Sequence, residues 1–312
     1  MTPQETYLRT LTEESKRLIQ GTIARNTVVG YRYDWTMFEA WCNRYALVPF
    51  PADPETVLLY LTDLIHQGKK LTTANRRKCA IAYEHRQRGA DSPVSQEVKR
   101  MLSGAQRLKG EKPRQMLPIT VGQLSAISGR LESRDKFTAW RDRALLVLGF
   151  ASALRRSNLV ALQLGDVEFC KEGLVLTIDR EKNDQQGRGR KIGVPRGKHR
   201  LTCPVRTMRA WLKRRGETPG ALFLRKRNGG EGPLDGDSVT RIVKTCVALI
   251  AIDSAGWGAH SLRAGFVTEA GLAEVPELQI AQQTGHRSMA VLRRYFRPQH
   301  LFRGNAGAMV GL

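Results

Sequence analysis

The sequence has 312 residues, of which 41% are hydrophobic, and its formal net charge at pH 7 is +22. This length accommodates two ordinary domains, and the hydrophobic fraction excludes a wholly disordered chain. The excess of positive charge favours a polyanionic partner, with nucleic acid as the first candidate and an anionic membrane surface as the second.

The first hundred residues predict a helical domain. Their apolar residues recur every three or four positions, which places them on one face of each helix. A proline at a helix start and a glycine beyond a helix end mark the boundaries. The predicted helices are an apolar-faced segment from Val28 to Tyr45, a segment opened by Pro54 and ended by Gly68, and residues 71–88 and 94–108.

A charged segment that contains two prolines follows over residues 107–118. This composition is typical of an exposed linker between domains. We therefore predict a helical first domain over residues 1–106 and a second domain over residues 119–312.

The second domain combines predicted helices with a β-hairpin. Apolar segments over residues 173–178 and 191–194 predict paired strands, with a polar, glycine-containing turn between them. Helices are predicted before the hairpin, over residues 120–131 and 137–153, and most of the chain beyond it is also predicted to be helical. The whole chain is therefore predicted to be mainly α with a small β-sheet, an α+β fold.

Features of membrane, secreted or metal-binding proteins are weak in this sequence. The longest apolar run, residues 144–154, is far shorter than the ~20 residues that span a bilayer, and the first ten residues form no apolar signal segment. The five cysteines are scattered, which predicts neither a disulfide framework nor a zinc site. We expect a cytoplasmic, nucleoid-associated protein.

Four short segments carry residue types that suit phosphate chemistry. Each residue also has an ordinary explanation, as a helix cap, a solvated turn residue or a core residue, so none is specific alone. The candidates are Arg155 after an apolar helix, Lys182 at the tip of the predicted hairpin, His260 and Arg263 three apart on one helix, His286 after a glycine, and Tyr295.

Taken together, in this order and spacing, the segments resemble the tyrosine recombinase (phage integrase) family. That family's pattern is an arginine after a Gly/Ala-Leu turn, a hairpin lysine, His-x-x-Arg, and a Gly-His pair with a tyrosine nine residues later. The phrase Gln-Thr-Gly-His-Arg-Ser before Leu-Arg-Arg-Tyr is the most specific part. The resemblance covers nearly the whole chain and implies a helical core-binding (SAM-like) domain followed by a mixed α/β catalytic domain.

The resemblance implies a site-specific recombinase that cuts and rejoins DNA through a 3′-phosphotyrosyl bond and a Holliday junction, without a metal, ATP or other cofactor. Such an enzyme serves DNA integration, excision, inversion or resolution, and the sequence does not decide among them. The implied roles are Tyr295 as nucleophile, Arg155 and Arg263 as phosphate ligands, Lys182 as general acid, His260 as acid–base partner of the tyrosine, and His286 as a hydrogen-bond partner of the phosphate.

The chemistry of these residue types agrees with those roles. Two arginines offer planar, permanently charged donors to the phosphate oxygens on which charge accumulates. A tyrosine hydroxyl has a reference pKa of ~10, so a neighbouring base and nearby cations are needed to make it a nucleophile. Carboxylates with metal-ligand spacing do not accompany these residues, so a two-metal nuclease is not predicted.

One position departs from the family pattern. The family usually has a carboxylate three residues after the first arginine, where this sequence has Asn158. An amide still accepts a hydrogen bond but supplies no negative charge. We interpret Asn158 as an adjustment of the reaction rate and not as a loss of activity.

Alternatives stay open at this stage. A type IB topoisomerase shares this chemistry but relaxes supercoils, and a catalytically weak DNA-binding protein would bind without forming a covalent adduct. A membrane-surface protein is less favoured, because no predicted helix combines a basic face with exposed large apolar residues.

The predicted partners are double-stranded DNA with an inverted-repeat site and three further copies of the chain, giving a homotetramer on two DNA sites. The tail after Tyr295 is small and apolar at its end, and the resemblance implies that it docks into a neighbouring protomer. A solvated helix face explains each of the DNA-contact candidates equally well; these are Arg76 and Arg77 in the first domain and Arg241 and Lys244 on a predicted helix over residues 238–251.

Overall fold

The computed structural model describes residues 2–20, 23, 25–110, 115–179, 189–227, 230–295 and 310. The chain divides into two compact units, residues 1–113 and 114–312. The division falls within the predicted linker, residues 107–118. No helix in the described ranges is long and apolar enough to cross a membrane.

Unit 1 is helical, as predicted. Asp53 and Ser95 accept hydrogen bonds from backbone N–H groups in the first turns of two helices, which satisfies donors that the helix leaves open. The fully buried aromatic residues Phe38 and Tyr60 lie at the centre of the core. The helices of unit 1 are α1 (Pro3–Gln20), α2 (Arg25–Arg44), α3 (Pro54–His66), α4 (Leu71–Gln87) and α5 (Gln96–Lys109).

Two boundaries in unit 1 differ from the sequence expectation. Helix α2 ends at Arg44, so Tyr45 lies beyond it with its side chain 54% exposed. Helix α5 continues to Lys109, into the start of the predicted linker. Periodicity identifies the apolar face of a helix, but the residue at which that face ends depends on what packs against it.

Unit 2 combines helices with two antiparallel sheets. The bounds of the predicted helices and strands are reproduced to within one residue up to the hairpin. The elements of unit 2 are α6 (Val121–Glu132), α7 (Phe137–Ser152), α8 (Arg156–Ala161), β1 (Val167–Phe169), β2 (Gly173–Ile178), β3 (Arg190–Pro195), α9 (Pro204–Arg215), β4 (Leu224–Arg227), β5 (Gly230–Pro233), α10 (Gly236–Ala248), α11 (His260–Leu272), α12 (Glu277–Thr284) and α13 (Met289–Arg293).

The first sheet has the order β1-β2-β3, with each pair antiparallel. Leu176 is paired with Ile192, and both side chains are buried in the core of unit 2. Strand β1 was not predicted, because three residues are too few to show an alternating pattern. The tip of the β2–β3 hairpin, including Lys182, lies outside the described residues.

The second sheet pairs β4 with β5. This hairpin was not predicted, since most of the chain beyond the first hairpin was predicted to be helical. Its residues are mostly charged or glycine, and they show no alternation of apolar and polar side chains from which a strand could be predicted.

Helices α7 and α11 pack closely against each other, and the candidate residues lie at the end of α7 and the start of α11. A Cβ added to Gly149 would come within 2.9 Å of Leu159 and Leu262. A Cβ added to Gly265 would overlap the carbonyl oxygen of Ile119. The glycines therefore permit the helices to approach one another at a distance that larger residues exclude.

Candidate active site

The turn after α7 places Arg155. Helix α7 ends at Ser152, and Ala153 takes the left-handed conformation with φ 50° and ψ 27°. This conformation costs a non-glycine residue roughly 1 kcal/mol, so the surrounding packing must hold it. The reversal buries Leu154 and places Arg155 in an extended conformation at the start of α8.

Arg263 connects three segments of unit 2. It lies on the first turn of α11 and is 2% exposed. Its Nη1 donates to the carbonyl oxygens of Ala153, at 2.8 Å, and Thr284, at 2.6 Å. Its Nη2 lies 3.0 Å from Nε2 of His286. One guanidinium therefore ties the ends of α7 and α12 to the start of α11.

His286 follows the glycine that ends α12. Gly285 has a φ of 68°, in the left-handed region that glycine adopts without strain. Nδ1 of His286 lies 2.6 Å from the hydroxyl oxygen of Thr284. Burial lowers the pKa of His286 to about 4, and the positive charges of Arg263 and Arg155 act in the same direction.

Tyr295 lies two residues beyond α13 and meets His260. The phenolic oxygen of Tyr295 is 2.7 Å from Nε2 of His260. The tyrosine ring also lies 5.5 Å from the ring of His286, measured between centroids. The preceding carbonyl, that of Arg294, accepts a hydrogen bond from the side chain of Gln115 at 3.0 Å. The residue before Tyr295 is thus held near the start of the same unit.

The surroundings of His260 favour its neutral form. The residue is exposed, but desolvation by the atoms packed around its ring lowers its pKa, and the positive charges of Arg263 and Arg155 lower it further. A neutral imidazole presents a lone pair on one ring nitrogen. His260 is therefore suited to accept a proton from the hydroxyl of Tyr295.

The structure brings together five of the six predicted catalytic residues. Four of them, His260, Arg263, His286 and Tyr295, are linked by direct contacts, and Arg155 lies near enough to lower the pKa of both histidines. The sixth, Lys182, lies outside the described residues. Within those residues no group of three or more His, Cys, Asp or Glu side chains could hold a metal ion.

Comparison with known proteins decides the family. The model described as the phage integrase family matches residues 119–301. An integrase/recombinase xerD homolog of Selenomonas ruminantium is 33% identical over 303 residues, which cover 95% of this chain and 88% of the relative. The chain belongs to the phage integrase family. It is a tyrosine recombinase, an enzyme that cleaves and rejoins DNA strands in site-specific recombination.

Two solved integrase structures share the fold. The Tn1549 transposon integrase in complex with circular intermediate DNA superposes with a TM-score of 0.63 at 17% identity, covering 96% of this chain and 97% of that one. A lambda integrase tetramer bound to a Holliday junction gives 0.59 at 16% identity, covering 92% and 76%. The predicted α+β fold class is confirmed by this likeness.

Asn158 occupies a buried position beside Arg155. Its backbone N–H donates to the carbonyl of Arg155 at 3.0 Å, and the hydroxyl of Ser157 donates to its side-chain oxygen at 3.3 Å. This is the position at which the family resemblance implies a carboxylate. The amide of Asn158 fits the buried position as a hydrogen-bond acceptor without adding a charge.

The DNA-contact candidates of unit 1 differ from each other. Asp34 is fully buried and accepts two hydrogen bonds from Arg76, at 2.7 and 2.9 Å, while the arginine side chain is 54% exposed. Arg77 is 9% exposed, donates to the hydroxyl of Tyr60 and lies 3.7 Å from Asp34. Arg77 is thus placed in the interior of unit 1, whereas Arg76 reaches the surface.

The candidates of unit 2 share one exposed face of α10. The side chain of Arg241 is 65% exposed, donates to the hydroxyl of Ser238 at 2.9 Å and lies 3.8 Å from Asp235. Lys244 is also exposed, one turn further along. The exposed position is compatible with a contact to DNA.

Sequence reasoning assigned no role to Ala153, Gln283 or Thr284, although the last two belong to the Gln-Thr-Gly-His phrase that carries the family resemblance. The carbonyls of Ala153 and Thr284 hold Arg263, and the amide of Gln283 donates to the carbonyls of Ala151 and Gly193 at 3.1 and 3.3 Å. Every residue type carries a backbone carbonyl, so the sequence does not show which carbonyls accept hydrogen bonds from Arg263. The polar Gln-Thr pair on the last turn of α12, immediately before Gly-His, is the one signal in the sequence that pointed to this position.

Proposed function

We propose that the cluster of Arg155, His260, Arg263, His286 and Tyr295 cleaves one DNA strand by transesterification and then reseals it to a new partner. The observation that carries the proposal is the 2.7 Å contact between the phenolic oxygen of Tyr295 and Nε2 of His260. A nucleophile within hydrogen-bond reach of a base, beside two guanidinium groups, is the arrangement that phosphoryl transfer requires.

In the first step, the oxygen of Tyr295 attacks the scissile phosphorus. Its proton passes to Nε2 of His260, and the bond from phosphorus to the 5′ oxygen breaks. The products are a 3′-phosphotyrosyl bond and a free 5′ hydroxyl. Reversal of the same step with a 5′ hydroxyl from another strand restores a phosphodiester, so the reaction conserves bond energy and uses no nucleotide.

The arginines stabilise the transition state. Extra negative charge develops on the non-bridging oxygens during the transfer, and the two guanidinium groups stabilise it. Arg263 is well suited to this because backbone carbonyls of Ala153 and Thr284 hold its Nη1 in place.

The leaving 5′ oxygen needs a proton, which we assign to Lys182. Strands β2 and β3 form the described base of the hairpin whose sequence contains Lys182. We assign His286 to a hydrogen bond with the phosphate, because its ring contacts both Arg263 and Tyr295. The proposed chemistry calls on no metal or other cofactor.

The substrate we propose is double-stranded DNA with an inverted-repeat site. The charge of +22 and the exposed arginines Arg76 and Arg241, with Lys244, support contacts to both phosphates and base edges.

The substitution Arg241→Ala distinguishes a contact to a base from a contact to a phosphate. Loss of a base contact changes the sequence preference. Loss of a phosphate contact weakens binding to all sequences alike, and it reduces by about 1 the slope of the logarithm of the binding constant against the logarithm of salt concentration. Exposed Lys213 provides a control variant on another helix.

We also propose that four protomers act together on two sites. Exchange between two duplexes needs two cuts in each, hence four tyrosines, and the lambda integrase similar in fold is a tetramer on a Holliday junction.

Unit 2 carries a groove of about 540 Å³ that is mainly apolar, lined among others by Phe150, Phe266 and Val275. Its apolar character matches the small apolar residues at the end of the tail, residues 307–312. We assign this groove to the tail of a neighbouring protomer.

The function is tested with a labelled, nicked suicide substrate, in which the released fragment diffuses away and the covalent adduct accumulates. Sequencing the DNA that flanks the adduct identifies the cleavage site. A strand-exchange assay run beside a supercoil-relaxation assay then classifies the activity. Relaxation without exchange would indicate a topoisomerase, and DNA binding without an adduct would indicate a catalytically weak DNA-binding protein.

A further inference from the structure

The hydroxyl of Thr284 contacts two groups that together determine where its proton lies. Its oxygen is 2.6 Å from the carbonyl oxygen of Ile280 and 2.6 Å from Nδ1 of His286. A carbonyl oxygen only accepts, so the hydroxyl proton must point to Ile280. The hydroxyl then accepts from His286, whose Nδ1 must carry a proton.

Arg263 contacts both nitrogens of the same ring. Its Nη2 lies 3.0 Å from Nε2 of His286 and 3.3 Å from Nδ1. Because the two ring nitrogens are nearly equidistant from it, Nη2 lies over the face of the imidazole and not in line with one lone pair, so this contact does not select between the neutral forms. The Thr284 contact therefore selects the neutral form of the imidazole that is protonated at Nδ1 and unprotonated at Nε2.

This form cannot donate a hydrogen bond to a phosphate. Its single N–H is engaged by Thr284, and its free lone pair would repel a phosphate oxygen. In the DNA-free enzyme, Nη2 of Arg263 is also occupied by His286. Two groups that the proposed function assigns to the phosphate are thus paired with each other.

We propose that Thr284 is a positioning residue that keeps the Nδ1 proton on His286, so that binding of the scissile phosphate is coupled to uptake of a second proton at Nε2. The proton comes from solvent. The resulting imidazolium donates from Nδ1 to Thr284 and from Nε2 to the phosphate, and Nη2 of Arg263 is released to the phosphate as well. This inference rests on the proposed function of the site.

The charges around the ring agree with uptake on binding. The groups that face His286 are Arg263 and His260 on α11, Arg155 after α7, and Tyr295 after α13. Burial and the cationic groups hold the pKa of His286 low, at about 4, without DNA. A phosphate placed among them supplies negative charge that offsets the arginines and favours the imidazolium.

The first measurement is nitrogen NMR of the His286 ring in the DNA-free protein, which distinguishes the two neutral forms. We expect a protonated Nδ1 in the wild-type protein and in Thr284→Ser, which keeps the hydroxyl. In Thr284→Val we expect a shift toward the form protonated at Nε2, since the acceptor is gone. A wild-type ring protonated at Nε2 would overturn the inference without touching the proposed function.

The second measurement is proton uptake on binding, from calorimetry with a duplex carrying the cleavage site in buffers of different ionisation enthalpy. Tyr295→Phe serves as the background, so that no cleavage intervenes. We expect uptake of about one proton near neutral pH with Thr284 or Thr284→Ser, and much less with Thr284→Val, whose His286 already donates from Nε2. Equal uptake with Thr284→Val would contradict the proposal.

A matched control is available on α11. Thr268 is 4% exposed, and its hydroxyl has no hydrogen-bond partner among the described residues. Thr268→Val should leave both the ring form of His286 and the proton uptake unchanged. If wild type forms no covalent adduct, the proposed function fails. If it forms the adduct but takes up no proton, this inference alone fails.

Discussion

Nε2 of His260 and the phenolic oxygen of Tyr295 lie 2.7 Å apart, although 35 residues separate them in the chain. The contact pairs the first residue of α11 with a residue just beyond α13. It places a neutral imidazole against a hydroxyl whose deprotonation is needed for nucleophilic attack. The proposed reaction depends on this pair, so the first prediction concerns it.

Tyr295→Phe removes the nucleophilic oxygen and keeps the aromatic ring. We expect the covalent adduct with a suicide substrate to fall by roughly 10³-fold or more, while DNA affinity stays within a factor of about 2. A denaturing gel measures the adduct and a band shift measures binding. An adduct that persists in Tyr295→Phe would identify a different nucleophile.

Lys182→Ala should slow cleavage by about 10²–10⁴-fold, because the 5′ oxygen would leave without a proton donor. A substrate with sulfur at the 5′ bridging position should restore the rate, since a thiolate leaves without protonation. Lys191→Ala, on the described strand β3, is the control and should show neither defect nor rescue. Absence of rescue for Lys182→Ala would assign this lysine to DNA binding instead.

The low pKa of His286 predicts a loss of stability in acid. The folded protein keeps this ring neutral down to about pH 4, whereas the unfolded chain takes up a proton below a pKa of about 6.5. Unfolding is therefore favoured progressively as pH falls from 6.5 to 4, by up to about 1.4 kcal/mol per pH unit. Above pH 6.5 the ring is neutral in both states, so the protein loses no stability through this group.

Chemical denaturation across this pH range checks the prediction. The difference in unfolding free energy between wild type and His286→Gln should shrink or change sign as the pH is lowered. His199→Gln, which changes an exposed histidine of the same unit, should leave the pH dependence as in wild type. An unaltered slope in His286→Gln would show that the ring is protonated in the folded protein.

Arg77→Ala should destabilise unit 1. Arg77 is buried beside fully buried Asp34 and donates to Tyr60, so its removal leaves polar groups without this partner. We expect a loss of about 2 kcal/mol or more in unfolding free energy. Arg100→Ala, an exposed change on α5, should stay within about 0.5 kcal/mol. If Arg77→Ala instead weakens DNA binding and leaves stability unchanged, the result would support the sequence-based assignment of Arg77 to DNA.

Deleting residues 304–312 should leave binding to a single half-site nearly intact. It should reduce cooperative filling of the second half-site and lower recombination sharply, because the tail is proposed to dock into a neighbouring protomer. Band-shift titration on a two-arm site measures the cooperativity.

Val275→Asp, which puts a carboxylate into the apolar groove, should reproduce the effect of the deletion if the groove receives the tail. Leu278→Asp provides the control, since Leu278 is 65% exposed and does not line the groove. Wild-type cooperativity and recombination in the truncated protein would place the coupling between protomers elsewhere.

Local pattern determined most of the secondary structure. The apolar face of α3, the proline at its start and the glycine beyond its end are readable because each reports on its immediate neighbours. Strand β2 was likewise predicted with its observed bounds. The order and spacing of Arg155, His260 with Arg263, His286 and Tyr295 also sufficed to indicate the family, because chemistry constrains residue type at those positions.

Only the tertiary structure decided how those residues meet. Sequence cannot show that Arg77 turns inward to Asp34 while its neighbour Arg76 remains half exposed, because both stand on the same basic helix. Nor can it show that backbone carbonyls of Ala153 and Thr284 hold Arg263, since every residue type carries a carbonyl. Contacts between groups far apart in the chain depend on packing, and packing sets the burial and charge that decide the protonation of each histidine.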